Sequence, residues 1–126
     1  MINIALDVMG GDHAPENTLE GAYLAIKEFP IQITLVGDET IIKDYFEKHP
    51  HIHHERFIIQ HASQSITMCE SPTKAYREKK DSSIHVGLNL VKENKANGFV
   101  SAGNTGAVLT ASMLILRRIE KIERPA

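Results

Sequence analysis

The stretch D-V-M-G-G-D-H-A-P, residues 7–15, decides how this chain is read. Residues 2–8 lead into it and are apolar almost throughout, with Ile2, Ile4 and Leu6 alternating with Asn3 and Ala5. That pattern suits a strand covered on both faces. Pro15 fits a first helical position, because it has no amide hydrogen to leave unpaired there. Glu16 and Glu20 lie where a helix dipole favours acids. Leu19, Ala22, Tyr23, Ile26 and Phe29 then recur at helical spacing until Pro30 stops the element. Strand, glycine turn and helix start form the arrangement at which α/β proteins bind anions. Gly10 and Gly11 permit positive φ and close approach of a ligand, and the helix amides and dipole favour negative charge. The plain alternative is a tight turn without a ligand, in which Asp12 only caps the helix. Asp7 and Asp12 repel a bare phosphate, and suit a basic group or a substrate hydroxyl or amide better.

The logic repeats late in the chain. Residues 99–101 read as a short buried strand, S-A-G-N-T-G-A (101–107) as a turn, and 104–119 as a helix. Gly103 and Gly106 bracket Asn104 and Thr105, either of which can cap that helix or reach a ligand, and Ser101 stands at the strand end. Between the two loops, residues 31–36 and 56–61 read as strands, and a helix capped by Asp38 runs through Phe46. Residues 62–72 form a polar connector. Residues 73–80 and 84–95 read as helices separated by Asp81-Ser82-Ser83, and Asn97-Gly98 is a stop. The order β-α-β-α-β-α-α-β-α predicts a mainly parallel sheet with helices on both faces and right-handed crossovers.

Composition narrows the function. The 126 residues suffice for one domain with a real core, and 42% hydrophobic with 24% charged residues is an ordinary globular balance. A net charge of -2 argues against nucleic-acid binding through phosphate neutralisation. The lone Cys69 excludes an internal disulfide and zinc-type cysteine spacing, and fits a cytoplasmic setting. Asp7 and Asp12 interrupt any signal-peptide pattern. The apolar run 106–116, closed by Arg117-Arg118, is too short to span a bilayer and reads as a buried helix. Residues 123–126 follow it with nothing like a closing element, so the chain reads as the N-terminal part of something longer.

Other chemistries find little footing. The dinucleotide fingerprint G-x-G-x-x-G, the P-loop and the G-x-S-x-G elbow are absent. Ser101, His13 and an aspartate can be drawn as a triad, but nothing in their spacing supports one. His49, His51, His53 and His54 cluster at Pro50 and read as a surface turn, so no metal is expected. The basic run Lys74, Arg77, Lys79, Lys80 reads as a solvated helix face, with Lys80-Asp81 the first place to seek a cation for an anionic substrate.

D-V-M-G-G-D-H-A-P (7–15), K-K-D-S-S (79–83), S-A-G-N-T-G-A (101–107) and I-E-R-P-A (122–126) together resemble the PlsX family of phosphate acyltransferases. The resemblance covers the whole chain in order, against the N-terminal part of longer proteins. It implies a three-layer α/β/α fold of the phosphotransacetylase and isocitrate-dehydrogenase-like type. It implies transfer of a fatty acyl group from acyl carrier protein to inorganic phosphate, giving acyl phosphate for phospholipid synthesis, without a cofactor. It carries His13, Asp12 and Lys80 as catalytic candidates, and Asp7, Gly10, Gly11, Ser101, Gly103, Asn104, Thr105 and Gly106 as binders of phosphate or thioester. A homodimer and peripheral membrane association are implied for the C-terminal part of such proteins. The rivals are a phosphotransacetylase-like enzyme acting on coenzyme A thioesters, a non-catalytic ligand-binding fragment, and a signalling receiver. A receiver needs an aspartate after the third strand, where this chain has Gln60-His61-Ala62.

Overall fold

Alternation along one strand explains why the sheet is covered on both faces. In β2 (Gln32–Gly37), Ile33 and Leu35 join one core cluster and Val36 joins another. β1 (Asn3–Asp7) follows the same parity: Leu6 faces the first cluster and Ala5 the second. The structure, a computed structural model, describes residues 1–124. The remaining elements are α1 (Glu16–Glu28), α2 (Glu39–Lys48), a 3₁₀ turn (Pro50–Ile52), β3 (Phe57–His61), α3 (Pro72–Glu78), α4 (Ser83–Lys92), β4 (Gly98–Val100) and α5 (Thr105–Ile115).

The four strands are all parallel, in the order β3-β2-β1-β4. On one face, Leu19, Ala22 and Ile26 of α1 and Ile42 and Phe46 of α2 close on Val8, Ile33 and Leu35. On the other, Val86, Leu90 and Val91 of α4 cover Ala5, Val36 and Ala62. Ala107, Ala111 and Ile115 of α5 pack on Ile84 and Leu88 of α4, and α3 lies against α5. This is the expected three-layer α/β/α architecture. Strands β1 to β3 progress outward in one direction, while β4 returns to the other side of β1. The gap between the carboxyl ends of β1 and β4 is therefore the topological switch point, where open α/β sheets bind their ligands.

Three local expectations need correction. Pro15 precedes α1 as its N-cap, at φ -87° and ψ -4° after a cis bond from Ala14, and Glu16 opens the helix. The last helix stops at Ile115 rather than Ile119. The amides of Leu116 and Arg117 both turn back to the Ser112 carbonyl, and Arg117 takes a positive φ of 67°. Nor is the apolar run buried on all sides. Ala107, Ala111 and Ile115 are covered, whereas Leu109, Met113, Leu114 and Leu116 are exposed. A second uncovered apolar surface lies beside α1, where Leu6, Ala25, Phe29, Ile33 and Val100 line a groove of about 460 Å³ over β1 and β4. Of the motif at 122–126, Pro125 and Ala126 lie outside the described residues.

Candidate active site

The two glycine loops meet at the switch point. A β-carbon on Gly103 would lie 3.2 Å from the Gly10 Cα, and one on Gly10 only 2.9 Å from the Gly103 amide nitrogen and 2.5 Å from Asp7 Oδ2. Only glycine fits both positions. Gly11 takes φ +110°, a conformation that L side chains rarely adopt. The loop then passes through exposed Asp12 and His13 to α1. The Thr18 hydroxyl, one turn into α1, donates to the carbonyls of Val8 (2.6 Å) and Pro15 (2.9 Å) and ties the helix to the loop. Gly10, Gly11, Asp12, His13, Ala14, Asn17, Thr18 and Ala102 line an open cleft of about 380 Å³.

The cleft is lined with free donors. Among the described residues, the amides of Gly11, Asp12 and His13 donate to no partner, and no side chain caps α1. Asp12 is thus not the helix cap that the plain reading gave it. Unpaired amides at a helix start, in a turn that a positive φ holds open, are the means by which a backbone binds an anion.

The second loop is built differently. Asn104 is buried and caps α5, its Oδ1 accepting from the Ala107 amide at 3.1 Å. Its Nδ2 donates to the carbonyls of Thr67 and Glu70, both at 3.0 Å, so it also fastens the long connector. Thr105 is exposed at the start of α5. The close neighbour at Gly106 is Pro72 of α3, whose Cγ would lie 2.7 Å from a β-carbon there. The glycine serves helix packing at that point.

Asp7 lies beneath both loops, 1% exposed. Its Oδ1 accepts from the Ser83 hydroxyl (2.5 Å) and the Met9 amide (3.0 Å), and its Oδ2 from the Ser101 hydroxyl (2.8 Å). Ser101 in turn accepts from the Gly103 amide at 3.1 Å. Ser83 was not among the sequence candidates. It lay in plain view in the K-K-D-S-S motif, but no spacing rule links position 83 to position 7. Ser101 bonds Asp7 rather than His13, so no triad forms.

The basic run lies apart from the cleft. The Lys80 ammonium is exposed and sits 4.8 Å over the Tyr76 ring. Tyr76 stacks on His85, whose burial holds its imidazole pKa below the usual value, with the nearby Lys80 charge adding to the effect. Lys79 donates to the Ser65 carbonyl and pairs with Glu70 at 2.8 Å, and this hydrogen bond holds the Glu70 carboxyl below its ordinary range. Asp81 is held down likewise by the Ser63 hydroxyl and amide. The histidine cluster packs on aromatic rings, His49 stacked 4.2 Å from Tyr45 and His53 edge-on to Phe46 at 5.3 Å. Among the described residues, no three histidine, cysteine or acidic side chains gather as metal ligands do. Nor is any helix among them long and apolar enough to cross a membrane.

An all-parallel sheet covered on both faces, with a cleft at its switch point, defines the open α/β class of domain. The sequence comparisons make this specific. The model of the fatty acid synthesis protein family matches residues 2–126, and the chain belongs to that family. It is similar to proteins named phosphate acyltransferase: 49% identical over 125 residues to that of Dictyoglomus turgidum, 48% over 126 to that of Exiguobacterium sibiricum and 46% over 125 to that of Alkaliphilus oremlandii. These alignments take in 98–99% of this chain and 37% of each relative, so the chain spans little more than a third of their length. The resemblance drawn from the motifs is borne out.

Proposed function

We propose that this chain supplies the phosphate-binding side of an acyltransferase. That enzyme moves a fatty acyl group from acyl-acyl carrier protein to inorganic phosphate in the cytoplasm, giving acyl phosphate. The observation that carries the reading is the cleft at Gly11, where three unpaired amides front a helix start. Membership of the fatty acid synthesis protein family supports it.

The chemistry asks little of the side chains. Phosphate near neutral pH is already largely dianionic and needs no strong base. A thiol leaving group with a pKa of about 8.5 departs with little acid assistance. Positioning, with stabilisation of the tetrahedral oxyanion by amides, carries most of the catalysis. His13, exposed on the cleft rim, hands a proton to the departing thiolate, and Asp12 beside it orients the imidazole or a substrate donor. Ala102 brings the Ser101–Gly106 loop to the cleft wall, and that loop meets the thioester. Lys80 serves only if it leaves Tyr76 and swings toward the cleft.

The test is an assay of acyl phosphate release by the enzyme that carries this chain at the length of its relatives, with acyl carrier protein and coenzyme A thioesters compared. Acyl phosphate from the carrier-protein thioester supports the proposal. Turnover of coenzyme A thioesters alone replaces it with a phosphotransacetylase-like activity, and turnover of neither removes it.

A further inference from the structure

The connection beneath the cleft has a direction. Ser83 Oγ donates to Asp7 Oδ1, Ser101 Oγ donates to Asp7 Oδ2, and the Gly103 amide donates to Ser101 Oγ. The three elements joined are the start of α4 and the carboxyl ends of β1 and β4. Asp7 is 1% exposed and Ser83 2%, so water does not substitute for either partner. No ion pair among the described residues includes Asp7. Its charge is met by two hydroxyls, the Met9 amide and the positive end of the α4 dipole.

A carboxylate only accepts, so it compels both serines to donate. Ser101 has then spent its proton and keeps lone pairs for the Gly103 amide. A neutral amide side chain at position 7 accepts at one atom and donates at the other, and leaves one serine facing a donor. The network thereby turns the Gly103 amide inward and sets the second loop against Gly10, where the two backbones touch.

We infer that Ser83, acting through Asp7 and Ser101, is a positioning residue that sets how the second loop, whose Ala102 lines the cleft, seats against the first. Its effect on ligand binding rests on the reading of the cleft as a phosphate site; its effect on loop geometry does not.

Amide hydrogen exchange and inorganic phosphate titration, both followed by NMR on the chain Met1–Ala126, read the two parts separately. In Ser83→Ala, exchange at Gly103 is expected to quicken about tenfold, the scale of one charge-assisted hydrogen bond, while Leu35 in the sheet keeps its protection. Phosphate binding weakens by a similar factor, and Ser83→Thr, which keeps the hydroxyl, restores both. Ser101→Ala reads the same network from its other end, and decides the matter should Ser83→Ala not fold. Unchanged exchange at Gly103, or equal loss of protection at Gly103 and Leu35, overturns the inference. If the unsubstituted chain shows no phosphate-induced shift at Gly11, the phosphate reading fails, while the exchange comparison still judges the positioning role.

Discussion

The two glycine loops share a plan and differ in how they close. Both leave the carboxyl end of a strand and enter a helix, and they meet at Gly10 and Gly103. In the second, Asn104 caps α5 at the Ala107 amide and Ser101 takes the Gly103 amide, while the amides of Ala102, Asn104, Thr105 and Gly106 have no partner among the described residues. The first has no side-chain cap, and leaves the amides of Gly11, Asp12 and His13 unpaired among the described residues. The loops thus differ in side-chain capping and in what lines the cleft: the first supplies Gly10 to Ala14, the second only Ala102. The proposed anion site follows the cleft lining, with the first loop as receptor and the second as the shaping wall.

The hardest blow to the arrangement is removal of the group both loops depend on. Asp7→Ala deprives three donors of their acceptor, the buried Ser83 and the half-buried Ser101 and Met9 amide, at about 1 kcal/mol each. Urea unfolding should record a loss of about 3 kcal/mol, against little change if the loops stand independently. Gly11→Val separates receptor from wall. It places a branched side chain at φ +110° on the cleft side, so acyl phosphate formation by the enzyme carrying this chain should fall about a hundredfold, as displacement of a bound reactant by an ångström does. Thermal unfolding should shift far less. A folded variant with unchanged turnover takes the first loop out of the site. Asn104→Ala should show the reverse bias. Loss of the α5 cap costs about 1 kcal/mol of stability, and phosphate binding changes less than in Gly11→Val. Equal effects of the two variants on binding would erase the distinction.

The smallest effect concerns pH and sharpens the view that α4 underpins the cleft. His85 in α4 has a folded pKa below its unfolded value, because burial disfavours the charged ring. Its contribution to stability is therefore present above the unfolded histidine pKa of about 6.5, and is lost as pH falls through the lower folded value. The carboxyls of Glu70 and Asp81 shift in the same direction, and their smaller contributions are lost at still lower pH. Urea midpoints should decline between pH 7.5 and 5.5, and His85→Gln should flatten that decline. An unaltered slope in the variant assigns the pH response elsewhere.

Much of the fold is legible because it is written in local periodicity. The order of elements, the parity of β2, the Asp38 cap and the Asn104 cap all follow from residues within one helix turn or strand of each other. The boundaries that misled also have local causes. Pro15 fits a first helical position as well as a cap, and the apolar run past Ile115 hides a stop made by backbone turning to Ser112. The full burial expected of residues 106–116 failed for a different reason. Hydrophobicity reports what a residue prefers, and the packing of neighbouring elements decides what it meets. Ala107, Ala111 and Ile115 meet α4, and Leu114 stays 53% exposed.

By itself, then, the sequence determined the strand–loop–helix units, the need for glycine in the turns and the family. Each depends on backbone sterics and side-chain spacing along the chain. Only the tertiary structure decided that Asp7 bonds Ser83 and Ser101, and that Gly106 serves Pro72. Those pairings span up to 94 residues. A crossover that returns β4 to the far side of β1 creates them, and the local preferences of the residues involved do not encode a partner at that distance.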